Sequence, residues 1–363
     1  MRFEKEISRR LKSQPLSSPC LKPGASRSFF GESISLLPSS CFGPSVTSVT
    51  SVTESVAELP SAIEKMNLTP ESKVLIQGLI ESPASTLVGL MMKAYGTNVV
   101  AGVSPGRGQQ ELEGIPVFDL VEQAVATVGH IDTTVILVEP YWVLDAALEA
   151  IAAGIRQIAI VTPGVPPLDM VRLVRKAEAT ETLVIGPNSP GIIVPDKLLL
   201  GTHPKEFYTP GPVGIISRSS TLTYEVALEL TNAGLGQSMA VCIGCDAIVG
   251  SSFMQWLQIL DEDETTEAIV LVGEVGGWSE QAAASYIASA IDKPVVAYLA
   301  GRYAPKGPSL GHAGILISSR AAARTAFGVT AANKMAAFEE ANIPVASRPS
   351  EVPKLINKLL KKD

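Results

Sequence analysis

Cysteine is scarce: four residues in 363, which excludes the disulfide framework of a small secreted protein. Cys20 and Cys41 lie in an unusual N-terminal stretch. Cys242 and Cys245 form one Cys-x-x-Cys inside Val241-Cys-Ile-Gly-Cys-Asp246. No second ligand pair accompanies them, so they read as two small core residues rather than a metal or redox centre. A reducing compartment follows. Aromatic residues are also few, at 5%, while hydrophobic residues reach 46% and charged residues 18%. The core must therefore come from Ala, Val, Ile and Leu, the usual filling between strands and helices of α/β proteins. The net charge is -7 and no basic stripe is present, which argues against nucleic-acid binding. No apolar run reaches the roughly 18 residues a membrane-spanning helix needs, so no membrane partner is expected.

Residues 1–65 differ from the rest. They are rich in Ser and include the repetitive Ser45-Val-Thr-Ser-Val-Thr-Ser-Val-Thr53. Such a low-complexity extension is expected to be disordered or not native. Arg2, Arg9, Arg10 and Arg27 among serines resemble an organelle transit peptide, but Glu4, Glu6 and Glu32 oppose that reading. Met66-Asn-Leu-Thr-Pro-Glu-Ser-Lys73 leads directly into the first strand, as a native start would. Cytoplasmic location is expected, or the mitochondrial matrix if the extension is a transit peptide.

From Lys73 short apolar runs alternate with helical patterns. Strands are expected at 74–78, 98–102, 134–138, 158–161 and 182–185, with helices between them. A second α/β unit follows Thr209-Pro-Gly-Pro212, with strands at 213–216, 240–243, 268–272 and 294–298. Two units are expected, 66–205 and 206–363. This alternation implies doubly wound parallel sheets, whose ligands bind beyond the carboxyl ends of the strands. Those ends carry Gly78, Gly102-Val-Ser-Pro-Gly106, Thr162-Pro-Gly164 and Gly186-Pro-Asn-Ser-Pro-Gly191.

Six segments stand in an informative order. They are Gly102-Val-Ser-Pro-Gly-Arg-Gly108, Gly186-Pro-Asn-Ser-Pro-Gly191, Ser217-Arg-Ser-Ser-Thr-Leu-Thr-Tyr-Glu225, Asp246-Ala-Ile-Val-Gly-Ser-Ser-Phe253, Gly273-Glu-Val-Gly-Gly277, and Ala304-Pro-Lys-Gly with Gly311-His-Ala-Gly314. From about Met66 onward the chain resembles the α subunit of succinyl-CoA synthetase (succinate-CoA ligase). The resemblance implies a Rossmann-like CoA-binding domain followed by a flavodoxin-like CoA-ligase domain. It implies reversible formation of succinyl-CoA from succinate, CoA and ATP or GTP, with release of phosphate, as in the tricarboxylic acid cycle. A β subunit with an ATP-grasp domain would hold the nucleotide and Mg2+. The substrates would be succinate, CoA and phosphate. Two other readings stand beside this one: a catalytically weakened CoA- or partner-binding regulatory homologue, and a synthetase for another acid such as citrate.

The resemblance also implies roles for single residues. His312 would carry phosphate transiently, since a neutral imidazole is nucleophilic near pH 7. Glu274 would hydrogen-bond that imidazole and fix its tautomer. Ser217, Ser219 and Ser220 would bind phosphate at a strand-to-helix turn, where free amides and the helix dipole favour an anion. A plain N-cap by Ser219 or Ser220 would need no ligand. Tyr224 would border the substrate site. Ile80, Glu81, Ser82, Pro83, Arg107, Val161, Thr162 and Pro163 would contact CoA, and no residue is expected to bind metal.

Several of these positions depart from the family pattern. The usual Thr-Gly loop after the first strand is replaced by Gly78-Leu-Ile-Glu-Ser-Pro-Ala-Ser-Thr-Leu87. There Glu81 would repel a diphosphate and only Ser82 offers a hydroxyl in the contact stretch. Arg107 stands for Lys, Pro163 for an acid, and Ser220 and Cys245 for Gly. After His312 the Gly-rich run becomes Ser318-Ser-Arg-Ala-Ala-Ala-Arg-Thr-Ala326. Its Arg320 and Arg324 read as phosphate or partner contacts, or as solvated helix charges.

Overall fold

The computed structural model describes residues 68–303 and 330–361, together with the backbone of 311–312 and 315–316. The N-terminal extension lies outside the described residues.

The first sheet grows from the apolar runs. Strands β1 (Val74–Gln77), β2 (Val99–Val103), β4 (Ile115–Phe118), β5 (Thr133–Ile136), β6 (Gln157–Ile160) and β7 (Leu183–Ile185) are parallel, in the order β4-β2-β1-β5-β6-β7. This is the Rossmann order, with its reversal between β1 and β5. The short β3 (Glu111–Leu112) pairs antiparallel with β4 at the edge. Helices α1 (Pro83–Tyr95), α2 (Val121–Val128), α3 (Val143–Ala152) and α4 (Pro167–Ala179) cover the faces. Both faces being covered explains why every residue of β1, β5 and β6 is buried.

The second sheet has the order β16-β13-β12-β10-β11-β8-β9. Its strands are β8 (Gly191–Val194), β9 (Leu198–Gly201), β10 (Pro210–Ser217), β11 (Gln237–Cys242), β12 (Ala268–Gly273), β13 (Val295–Leu299) and β16 (Val345–Ala346). The five parallel strands follow the flavodoxin-like order, with the reversal between β10 and β12. The hairpin β8–β9 extends this second sheet by antiparallel pairing of β8 with β11. Helices α5 (Ser220–Asn232), α6 (Phe253–Glu262), α7 (Ser279–Ala290), α8 (Ala331–Glu340) and α9 (Val352–Leu360) pack around it. The expected α/β class and both sheet types are present.

Two glycines are demanded by contact. Gly191 and Gly201 have φ of 88° and 128°, and a Cβ on either would strike a carbonyl oxygen of the facing strand segment at 1.7 and 2.2 Å. Only glycine lets these backbones pair so closely.

Candidate functional site

The carboxyl end of β1 opens into a cleft of about 520 Å³ lined by Ile80, Glu81, Ser82, Pro83, Thr86, Leu87, Leu90 and Arg107. It lies at the strand-order reversal of the first sheet, where such sheets receive ligands. Five of the residues expected to contact CoA therefore share one cleft. Its polar groups are partly spent. The Ser82 hydroxyl accepts from the Ser85 amide at 3.1 Å and caps α1. The Glu81 amide donates to the Gly78 carbonyl at 3.2 Å. Burial, then the negative Glu139, raise the proton affinity of the Glu81 carboxyl, while Arg107 opposes them. The remaining three expected contacts follow β6. Val161 is half-buried, Thr162 is buried and donates to the Val138 carbonyl at 2.7 Å, and Pro163 is exposed.

A second constellation forms at the reversal of the other sheet, between β10 and β12. Ser217, the last residue of β10, is fully buried. Its hydroxyl donates to the Ser219 carbonyl at 3.0 Å and accepts from the Ser219 amide at 2.9 Å. That short turn aims α5 at the site. Ser219 occupies the N-cap position, yet its side chain makes no capping bond. Ser219 thus offers the first turn of α5 no acceptor, and the Ser220 amide turns to the Cys245 sulfur instead; a helix start without its own cap suits an anion from outside. Arg218 spans the turn: its guanidinium donates to the Ser279 hydroxyl at 3.2 Å and to the Asp246 carbonyl at 2.6 Å. Its Nε is buried without a partner among the described residues.

Glu274 follows β12 and approaches this turn. Its Oε1 is also buried without a hydrogen-bond partner among the described residues. Burial, with help from Cys245, raises its pKa to about 7 against the opposing charge of Arg218. An unsatisfied acceptor that titrates near neutrality is poised to receive an N–H.

Both cysteines of the Cys-x-x-Cys are free and buried, as core residues would be. Cys245 also reaches the turn at 217–220, with its sulfur 3.5 Å from the Ser220 hydroxyl oxygen. Two departures from the family pattern therefore touch each other. A hydrogen bond from Cys242 leads the causes that lower the Cys245 pKa to about 6. Tyr224 lies one turn into α5; its phenol hydrogen-bonds Thr202 and its ring meets His203 edge-on at 5.7 Å.

His312 lies on the two-residue strand β14 (Gly311–His312), paired antiparallel with β15 (Ile315–Leu316). Its side chain lies outside the described residues, as do Ala304–Gly307, Arg320 and Arg324.

Sequence reasoning missed Lys334. It sits fully buried on α8, and its ammonium contacts Glu280 and the Glu274 and Gly276 carbonyls. The same reasoning singled out the loop at 186–191 but missed that this loop ties the two sheets together. The Asn188 amide donates to the Thr162 carbonyl at 3.0 Å, and its side-chain amide donates to Asp246 at 2.9 Å. One residue thus ties the turn after β6 to the turn after β11. The Gly186-Pro-Asn-Ser-Pro-Gly191 motif was the available signal.

Comparisons with known proteins match both halves of the chain. Residues 69–164 match the CoA binding domain family and residues 216–337 the CoA-ligase family. A succinate–CoA ligase [ADP-forming] α subunit from Archaeoglobus fulgidus is 42% identical over 290 residues, covering 80% of this chain and 97% of that protein. The corresponding subunit of Aquifex aeolicus is 41% identical over 293 residues, covering 80% and 93%. Among solved structures, ATP citrate lyase from Methanothrix soehngenii in complex with citrate and coenzyme A superposes with a TM-score of 0.71 at 22% identity. That match covers 82% of this chain and 52% of the other, and it shows the shared fold. With the CoA-binding domain first, the CoA-ligase domain second and relatives matched nearly end to end, the chain belongs to the succinate–CoA ligase α-subunit family.

Proposed function

We propose that this chain is the α subunit of a succinate–CoA ligase, working with a β subunit and carrying phosphate on His312 during turnover. The observation that carries the reading is the pairing of an uncapped helix start at Ser219–Ser220 with the unsatisfied Glu274 carboxyl. The α5 amides would hold a phosphoryl group, and Arg218 would offset its charge. Ionised Glu274 would accept the N–H of the His312 imidazole. The other ring nitrogen is then left with its lone pair free to take the phosphoryl group. When the ring becomes positive, the same carboxylate stabilises it. ATP or GTP and Mg2+ would be bound by the β subunit.

CoA would bind in the cleft of Ile80, Glu81, Ser82, Pro83 and Arg107, with Val161, Thr162 and Pro163 at the neighbouring strand end. Arg107 is the cation available there for its phosphates. The thiol of bound CoA supplies the acyl acceptor.

The test is phosphorylation of the α/β complex with labelled ATP and Mg2+. Acid-labile, base-stable label on His312, discharged by succinate plus CoA and absent from His312→Ala, is the expected result. Label that forms but is not discharged by those two substrates would redirect the assignment to another acid. An unlabelled chain beside an active β subunit would overturn the proposal.

A further inference from the structure

Lys334 and Glu280 are both fully excluded from solvent, and phosphate chemistry as argued above uses neither. Their contacts are specific. The Lys334 ammonium donates to the Glu274 carbonyl at 2.7 Å, to the Gly276 carbonyl at 2.5 Å and to the Glu280 carboxylate. These bonds occupy its three protons. Glu280 in turn accepts from the Glu274 amide at 3.3 Å and from the Ser279 hydroxyl at 3.1 Å. Both backbone polar groups of Glu274 are therefore held by one ion pair. The turn itself is irregular, with φ of 95° at Gly276 and 65° at Gly277, so its carbonyls need donors from elsewhere. Lys334 supplies them from α8, the helix that follows the His312 stretch in the chain.

Fold stability alone does not call for this arrangement. A buried ion pair is commonly no more stable than an apolar pair of the same volume, because both charges are desolvated. Its location beside the one carboxyl that, among the described residues, has an unsatisfied buried oxygen asks for another reason.

We infer that Lys334 and Glu280 are the positioning pair for Glu274, fixing where its carboxyl meets the imidazole and the charges that surround it. This rests on the reading of Glu274 given above. The groups facing that carboxyl are Cys245 from the turn after β11, Arg218 from the turn after β10, Glu280 from α7 and Lys334 from α8. Lys334 favours its ionised form and Glu280 opposes it.

The two partners therefore have opposite signatures. The rate of phosphoenzyme formation by the α/β complex is measured across about pH 5.5 to 9. Lys334→Met is expected to move the acidic limb to higher pH, with about a tenfold loss below the limb and a smaller loss above it. Glu280→Gln, which keeps an acceptor oxygen for Lys334, is expected to move the limb to lower pH. A uniform loss at every pH in both variants, or unmoved limbs, overturns the inference and leaves a structural role. Should Lys334→Met fail to fold, Glu280→Gln decides alone: a downward shift supports the positioning role and an unmoved limb removes it. Glu274→Gln separates the two levels. If it abolishes the limb while the pair variants leave theirs in place, only the positioning role fails. If it keeps the normal profile, the role of Glu274 and the inference fall together.

Discussion

At the residue scale, the two carboxylates of interest occupy different surroundings. Glu274 carries a pKa raised to about 7, chiefly by burial. Its folded value lies above its ordinary one, so the folded state holds a proton that the unfolded chain gives up. Stability is therefore lost as pH rises from about 4.5 through 7, and removing the charge restores it. We expect Glu274→Gln to melt on the order of 2 °C higher than the parent at pH 8 and equally at pH 4, read by calorimetry. The same variant should lose phosphoenzyme formation at all pH values. Stability and activity then move in opposite directions, as they do where strain serves chemistry. Glu81 presents a simpler case. Its negative charge stands in the cleft that would receive a diphosphate, beside Arg107. Glu81→Gln should tighten CoA binding about fivefold in low-salt titration calorimetry, the effect of roughly 1 kcal/mol of relieved repulsion. Unchanged affinity would mean that CoA does not approach Glu81.

At the element scale, most of the parallel strands were legible because they are short, largely apolar runs flanked by Gly or charged turns, as in Val74–Gln77 and Ala268–Gly273, whereas the parallel strands β4 and β16 were not read. The hairpins were not. Strands β3 and β4 are joined by Glu113-Gly114, both at positive φ, so an acidic residue serves in a turn position usually filled by Asn or Asp. The strand β8 was hidden behind the Gly186–Gly191 motif, which drew attention as a loop. Lys334 was illegible for another reason. Within Ala331–Glu340 it reads as a solvated helix charge, and only the fold brings Glu280 to it. The candidate phosphate turn and Glu274 were legible through motif order, whereas the spent hydroxyl of Ser82 needed the structure. The ion pair makes an element-scale prediction. Lys334→Met alone should cost about 3 to 5 kcal/mol by denaturant unfolding, since it strands a buried carboxylate. Adding Glu280→Leu should recover most of that loss. The hairpin gives another. Gly191→Ala should cost more than about 2 kcal/mol, because its Cβ would meet the Leu200 carbonyl oxygen at 1.7 Å.

At the scale of the whole molecule, the two sheets are joined by more than a tether. Asn188 binds the turn after β6 and the turn after β11 at once, and the Gly186 amide donates to the Ile243 carbonyl at 3.2 Å. The turn at the mouth of the first sheet is thereby bonded to the turn that carries Cys245. Asn188→Ala should weaken that link, and hydrogen exchange of the Cys245 amide, which donates to the Asn188 carbonyl at 3.2 Å, is the natural probe.

The hairpin β8–β9 precedes the Pro- and Gly-rich stretch in sequence yet completes the sheet that follows it. A polypeptide split within that stretch would carry the hairpin away on the wrong fragment. The downstream piece would be left with β11, buried along its whole length in the intact protein, as a bare border open to pairing with copies of itself. Co-expressed pieces would heal the break by donating the hairpin back, strand for strand. Viable divisions of this polypeptide thus fall before Gly186, not in the linker that composition suggests.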